Sequence, residues 1–259
     1  MKKLYLIIAF KFIGSYSLFA QNTVVQNGAF HPKEKLSYNV YYNIIGIYVK
    51  AGTATFTMSG ERIRDEDVFH VVGEGSTNPN YDWIFKVRDR YESYFNTTDL
   101  KPVKFVRNIN EGKYQKHEEI TFNHQTNTAT TNKGVYQVPE NVQDVISIMY
   151  YMRNINYDQN KAGDKIPLAM FLDGKVYSLC IYYMGKETVK TKYGKFKAIK
   201  LRPSLLKGST LKGGEKMTIW VTDDANHIPV QIESTIAVGK VKMDLMHYEN
   251  LRHPVIALR

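Results

Sequence analysis

Cysteine is nearly missing from this chain. Cys180 stands alone among 259 residues, so no intramolecular disulfide can form and no thiolate metal cluster can assemble. Tryptophan, proline and histidine are sparse as well, at two, eight and seven residues. The histidines (His31, His70, His117, His124, His227, His247 and His253) form no H-E-x-x-H or H-x-H pair, the spacings that put two imidazoles on one metal. No G-x-S-x-G is present: Gly73-Glu74-Gly75-Ser76 and Gly208-Ser209 do not build a nucleophile elbow. The stretch 207–214 has glycine and lysine but not the G-x-x-x-x-G-K-[ST] loop that cradles phosphates. Carboxylates are in deficit, 25 against 35 Lys and Arg, for a net charge of +10. Beyond residue 20 no apolar run approaches the ~20 residues a membrane helix requires.

These absences leave no recognisable catalytic set, cofactor motif or metal site. Asp223, Asp224 and His227 form the best acidic cluster, but calcium or magnesium needs more oxygen donors, and Asx residues in a turn account for the positions. Cys180 reads as a small buried hydrophobe.

What is present begins with Lys2 and Lys3, an apolar run from Leu4 to Phe19 broken by Lys11 and Gly14, and Ala20-Gln21. A basic segment, an apolar segment and a small residue at a cut are the parts of a secretory signal peptide, expected over 1–20. No cysteine follows the cut to carry a lipid. The expectation is an exported, periplasmic protein with no transmembrane segment in the mature chain. Loss of Lys2, Lys3 and Lys11 leaves it basic, and a basic exported chain can lie against an anionic membrane or an acidic partner.

The strongest structural signal lies between Lys216 and Glu249. Ile228, Val230, Ile232, Ile236 and Val238 take one parity and Gln231, Glu233 and Thr235 the other, the period of a strand with one dry face. Gly239 breaks the run, and Val241, Met243 and Leu245 resume it. Pro229, lacking an N–H, belongs at a strand start or edge. The same alternation recurs in Leu36–Tyr42 and Thr53–Met58. Val68–Gly73, Pro102–Asn108, Tyr114–Phe122 and Thr128–Tyr136 read as further strands, and Trp83–Phe95 reads as extended. Asp173-Gly174 between two apolar runs predicts a two-residue hairpin, since a type I′ turn needs positive φ at both positions.

One helix is expected at about 142–156. Asn141 can cap it, Asp144 suits its first turn, and Val145, Ile148, Met149 and Met152 share one face. The predicted class is mainly β: a large curved antiparallel sheet or partly open β-barrel with one amphipathic helix. The predicted organisation is signal peptide 1–20, polar leader 21–35, a single domain 36–250 and a tail 251–259. Basic residues concentrate in one region, with Lys190, Lys192, Lys195, Lys197, Lys200 and Arg202 as a candidate surface for an anion or partner. An exported chain does not meet nucleic acid, so phosphate-bearing lipid or glycan is the better anion.

Four sets of residues resemble a known family. They are Leu36-Ser37-Tyr38-Asn39-Val40 with Ala51-Gly52-Thr53-Ala54; Asp144-Val145-Ile146-Ser147 with Tyr150-Tyr151-Met152-Arg153; Gly185-Lys186-Glu187-Thr188-Val189 with Tyr193-Gly194-Lys195-Phe196; and Ile219-Trp220-Val221-Thr222-Asp223-Asp224 with Ile228-Pro229-Val230. In that order, across about Leu36 to Tyr248, they are similar to the domain of unknown function 3108 family of bacterial exported proteins. The resemblance implies an exported, mainly antiparallel β protein with no established enzymatic activity and no catalytic residues to carry over. The plan is also similar to the curved, partly open barrels of periplasmic lipoprotein carriers, a likeness of architecture only.

Two functions follow as expectations. In the first, lipid or a lipoprotein acyl chain lies in the concave sheet against Tyr38, Val40, Phe56, Met58, Met149, Met152, Trp220, Val230 and Ile232. In the second, the protein is a structural or accessory partner in envelope assembly, docking through sheet edges or the basic region. Hydrolysis ranks last.

Overall fold

The two-residue rhythm becomes hydrogen-bonded ladder almost throughout. The computed structural model describes residues 25–44, 46–205, 217–236 and 239–259. The expected signal peptide, Val238 and most of the basic loop 205–214 fall outside the described residues. Fifteen strands among those described form one sheet, the mainly β class expected.

The chain starts in the middle of that sheet. Strands β1 (Lys35–Ile44), β2 (Ile47–Ile63), β3 (Glu66–Thr77), β4 (Arg88–Asn96), β5 (Pro102–Glu111), β6 (Tyr114–Asn123), β7 (Thr128–Thr131) and β8 (Gly134–Gln137) meander outward to one edge. A crossover holding β9 (Val142–Gln143) and α1 (Ser147–Met152) then carries the chain to the other edge. From there β10 (Lys165–Leu172), β11 (Lys175–Lys190), β12 (Lys195–Leu205), β13 (Met217–Thr222), β14 (Pro229–Thr235) and β15 (Lys240–Glu249) meander back until β15 pairs with β1, Lys35 opposite Glu249 and Asn43 opposite Lys240. Only β9 on β10 is parallel.

Local sequence fixes the turns. Arg64-Asp65, with φ of 47° and 67°, and Asp173-Gly174, with φ of 53° and 68°, are two-residue connections with both positions left-handed, as a type I′ hairpin requires. Pro229 opens β14, where its missing N–H costs no ladder bond.

The sheet rolls until its ends meet through side chains alone. Asp173, at the tip of the β10–β11 hairpin, is held by Arg107 of β5 and Lys116 of β6. Phe171 of β10 packs edge-on against Phe122 of β6, ring centroids 6.3 Å apart, and against Tyr136 of β8 at 5.4 Å. The terminal strands β8 and β9 are not paired, so the barrel is partly open.

Three apolar clusters pack on the sheet, the second and third on opposite faces of β12 and β13. The first joins β2–β8 to the crossover through Phe30, Phe69, Phe95, Phe105 and Tyr150. The second, around Leu36, Tyr38, Phe196, Trp220 and Val230, takes in the C-terminal tail through Leu251, Val255 and Leu258. The third gathers Met152, Tyr157, Ile181, Leu201 and Ile219. Arg153 lies where they meet. Its guanidinium grips Glu34 at 2.6 and 2.8 Å, donates to the Asn226 carbonyl at 3.0 Å, and lies 5.2 Å from the ring centroids of both Phe30 and Tyr150.

Two expectations need correction. The helix is six residues, not fifteen. Val142 and Gln143 are drawn into the ladder beside β10, and the Asp144 carboxylate, rather than Asn141, accepts the N–H groups of Ile146 and Ser147 at 2.7 and 2.8 Å. Trp83–Val87 does not begin a strand. A 3₁₀ turn at Pro79–Tyr81 leads into a hydrogen-bonded bend, and β4 starts at Arg88.

Asp144 is fully buried, and burial lifts its pKa to about 6 although Ser93 and two backbone N–H groups favour the anion. The folded state therefore holds a proton that the unfolded chain releases near pH 4. Stability falls as pH rises between those values, by about 3 kcal/mol for a rise of this size. Asp144→Asn keeps both acceptor bonds and cannot ionise. Urea unfolding at pH 4 and pH 7 should show a smaller loss in the variant than in wild type, and equal losses would contradict the assignment.

Candidate functional site

The nine residues expected to line a concave ligand site do not share one wall. Tyr38, Trp220 and Val230 are buried in the second cluster, Met58 in the first and Met152 in the third. Met149 packs against the first cluster, Ile232 against the third, and half-buried Phe56 against both the first and the second. Val40 belongs to none of the three. The Tyr38 hydroxyl is committed to the Pro229 carbonyl at 3.0 Å, and its ring meets Phe56 edge-on at 5.9 Å. Eight of the nine are thus packed among side chains from both meanders and the crossover.

The six basic residues are divided by the register of β11 and β12. Lys190 stands directly opposite Lys195, and Thr188 opposite Lys197. Val189, Phe196 and Ala198 point the other way, into the second cluster. Lys200 and Arg202 take the opposite parity to Lys195 and Lys197. Lys200 is spent on Glu187 at 3.2 Å and on the Trp220 ring, and Lys192 lies over the Tyr41 ring. Lys190, Lys195 and Lys197 remain exposed, and among the described residues none of the three is in an ion pair.

Beside them is a surface hollow of about 590 Å³ lined by Thr188, Lys190, Thr191, Gly194, Lys195 and Arg259. Its shape depends on the tail. Leu258 bridges to Phe196, the N–H of Arg259 donates to the Lys195 carbonyl at 2.8 Å, and Leu258 fills the space that a side chain at Gly194 would need. Arg259 was not anticipated as part of this surface, because nothing in its local sequence ties it to β12.

The acidic turn is structural. Asp224 accepts from the Thr222 hydroxyl at 2.8 Å and from the Asn226 N–H at 3.0 Å, Asp223 pairs with Lys186 at 2.7 Å, and His227 Nδ1 meets the Arg153 carbonyl at 2.7 Å. Burial holds the His227 imidazole below its ordinary pKa. Cys180 is buried in β11, where desolvation pushes its thiol pKa up and leaves it a poor nucleophile.

The densest titratable group was not singled out from sequence. His70 bridges Glu61 at 2.6 Å and Glu92 at 3.0 Å and stacks on Tyr94, while Arg90 joins Glu92 at 2.9 Å to Glu74 at 2.7 Å. These residues alternate along β2, β3 and β4, so strand parity was the available signal. Ser59 stands opposite His70, but its hydroxyl donates to Glu61 at 3.4 Å rather than to the imidazole, and a cross-strand charge ladder explains the arrangement. A second hollow of about 440 Å³ lies by Arg88, Asn108, Lys116 and His117. No helix among the described residues is long and apolar enough to cross a membrane.

A family model described as a protein of unknown function, DUF3108, matches residues 37–246. No curated protein matches the chain. Among solved structures, a β-barrel-like protein of the domain of unknown function DUF1849 from Brucella abortus is similar with a TM-score of 0.56 at 9% identity, covering 87% of this chain and 100% of that one. A candidate lipoprotein from Parabacteroides distasonis gives 0.40 at 11% identity, covering 86% and 100%. A candidate exported protein with a YmcC-like fold from Bacteroides fragilis gives 0.36 at 11% identity, covering 85% and 97%. The first of these likenesses shows a common fold.

Proposed function

We propose that this chain, which belongs to the DUF3108 family of proteins of unknown function, is an exported, non-enzymatic accessory protein of the periplasm that docks an anionic envelope partner on the basic face of β11 and β12. The observation that carries this reading is the Lys190–Lys195 pair. Like charges directly opposite in an antiparallel pair destabilise the sheet, and here two stand together, with no side-chain carboxylate paired to either among the described residues, at the mouth of a hollow that also holds Arg259. An incoming phosphate or carboxylate relieves that repulsion. Docking through the free sheet edges is less well supported, since β8 offers four residues and the β10 edge, covered by β9 only at Ala169 and Met170, contains Pro167, which has no N–H to donate.

A second reading places an acyl chain on the concave side. It is favoured by Met58, Met149 and Met170 in the cluster against which Phe56 packs, because unbranched thioethers repack around an inserted chain at small cost. Protein purified from its own envelope should then carry co-purifying lipid in native mass spectrometry, and a clean apo mass would contradict this reading.

Lys195→Glu separates binding from stability. It places a carboxylate opposite Lys190 and turns a repulsive pair into an attractive one worth about 0.2–1 kcal/mol. The unfolding midpoint should hold or rise. Retention of the envelope partner in a pull-down should fall by about tenfold, the equivalent of ~1.4 kcal/mol, and wild-type retention should weaken with added salt. Undiminished retention by Lys195→Glu would overturn the basic face as the docking surface.

A further inference from the structure

One end of the rolled sheet carries large apolar side chains that stand exposed. Strands β1 to β6 are neighbours in order, so the β1–β2 turn, the β3–β4 connection and the β5–β6 turn lie side by side at that end. They present Ile47 and Tyr48, then Trp83, Ile84 and Phe85, then Tyr114. Trp83 is 83% exposed, Ile84 62% and Phe85 51%, whereas Trp220 is 8% exposed. Large apolar side chains left exposed together at one end mark an interaction surface.

The chain is braced to hold these side chains outward. Asn78 accepts the Asn80 N–H at 3.1 Å, Thr77 donates to Asp82 at 2.7 Å, and Arg88 grips Asp82 at 2.6 Å. The N–H groups of Ile84 and Phe85 both donate to the Tyr81 carbonyl. Gly112, in the β5–β6 turn with φ of 58°, donates its N–H to the Lys86 carbonyl at 2.7 Å and leaves room for the Phe85 ring, 3.2 Å from where a Cβ would stand.

Charge completes the surface. Lys50, Lys86 and Lys113 on these turns, and Lys240 beside them at the start of β15, are exposed, and among the described residues none is in an ion pair. Of the carboxylates on the same turns, Asp82 is neutralised by Arg88, and Glu111 is half-buried against Asp89.

We propose that this end of the barrel docks on a bilayer surface containing anionic phospholipid, with Trp83, Ile84 and Phe85 entering the headgroup–acyl boundary and the four lysines lying against phosphates. Aromatic side chains at protruding tips, accompanied by exposed lysines, match the chemistry of that boundary. The surface lies at the opposite end of the strands from Lys190, Lys195 and Arg259, so it stands or falls separately from the basic docking face.

The chain carries its own reporter, since Trp83 is one of only two tryptophans. In a Trp220→Phe variant, Trp83 emission should shift to the blue on adding phosphatidylethanolamine vesicles containing phosphatidylglycerol. Wild-type protein gives a readout free of that substitution: it should sediment with those vesicles, less so with phosphatidylcholine vesicles or at high salt. Replacing Trp83, Ile84 and Phe85 together with serine should reduce sedimentation by about tenfold or more and leave thermal unfolding unchanged. Emission that stays at the solvent position, sedimentation that survives the triple replacement, or a blue shift that follows protein concentration without vesicles would each overturn the proposal.

Discussion

The buried ion pair between Arg153 and Glu34 is the constraint on which the rest of the structure depends. A sheet that starts in its own middle and finishes beside its first strand leaves two meanders joined by one ladder, β1 on β15. Rolled up, these halves carry three apolar clusters, and the crossover gives Tyr150 to the first and Met152 to the third. Arg153 ends the helical turn of that crossover. Glu34 lies just before β1, and Asn226 lies in the turn before β14. One planar, five-donor side chain thus fixes three distant segments. A carboxylate and a guanidinium so deeply buried are tolerable only because each satisfies the other in a forked geometry, with backbone carbonyls and aromatic faces taking the remaining edges.

Much of the architecture was legible. The alternation of Thr53–Met58 or Leu36–Tyr42 admits little but a strand, and Asp173-Gly174 is a hairpin on chemical grounds. What could not be read locally was decided by partners far away in the chain. The expected helix shrinks because Val142 and Gln143 find a ladder partner in β10. Trp83 to Phe85 read as strand because interleaved aromatics and charges look the same whether one face is buried or none is. Arg153 itself, inside a quoted family motif, gave no local sign that it would be the buried centre.

The candidate sites divide along the same line. The basic run of β11 and β12 was visible as composition, but only the pairing register separates Lys190, Lys195 and Lys197 from Lys200, Arg202 and Lys192, which are spent or face elsewhere. The nine concave residues were correctly read as apolar strand and helix positions, yet parity cannot say whether such positions surround a space or fill one. Here eight of them are shared among three clusters and Val40 lies outside all three, and the least committed surfaces lie at the two ends of the barrel: a cationic hollow closed by the tail, and a braced apolar rim.

If the Arg153 knot unites the halves, it should also govern cooperativity. Urea unfolding followed by far-ultraviolet dichroism and by Trp220 fluorescence, in a Trp83→Phe background, tests this directly. The intact pair should give a single coincident transition. Arg153→Met should lose about 3–5 kcal/mol, and the two probes should separate as the returning meander loosens from the first. A loss under about 1 kcal/mol with the probes still coincident would show that the clusters hold together without the knot.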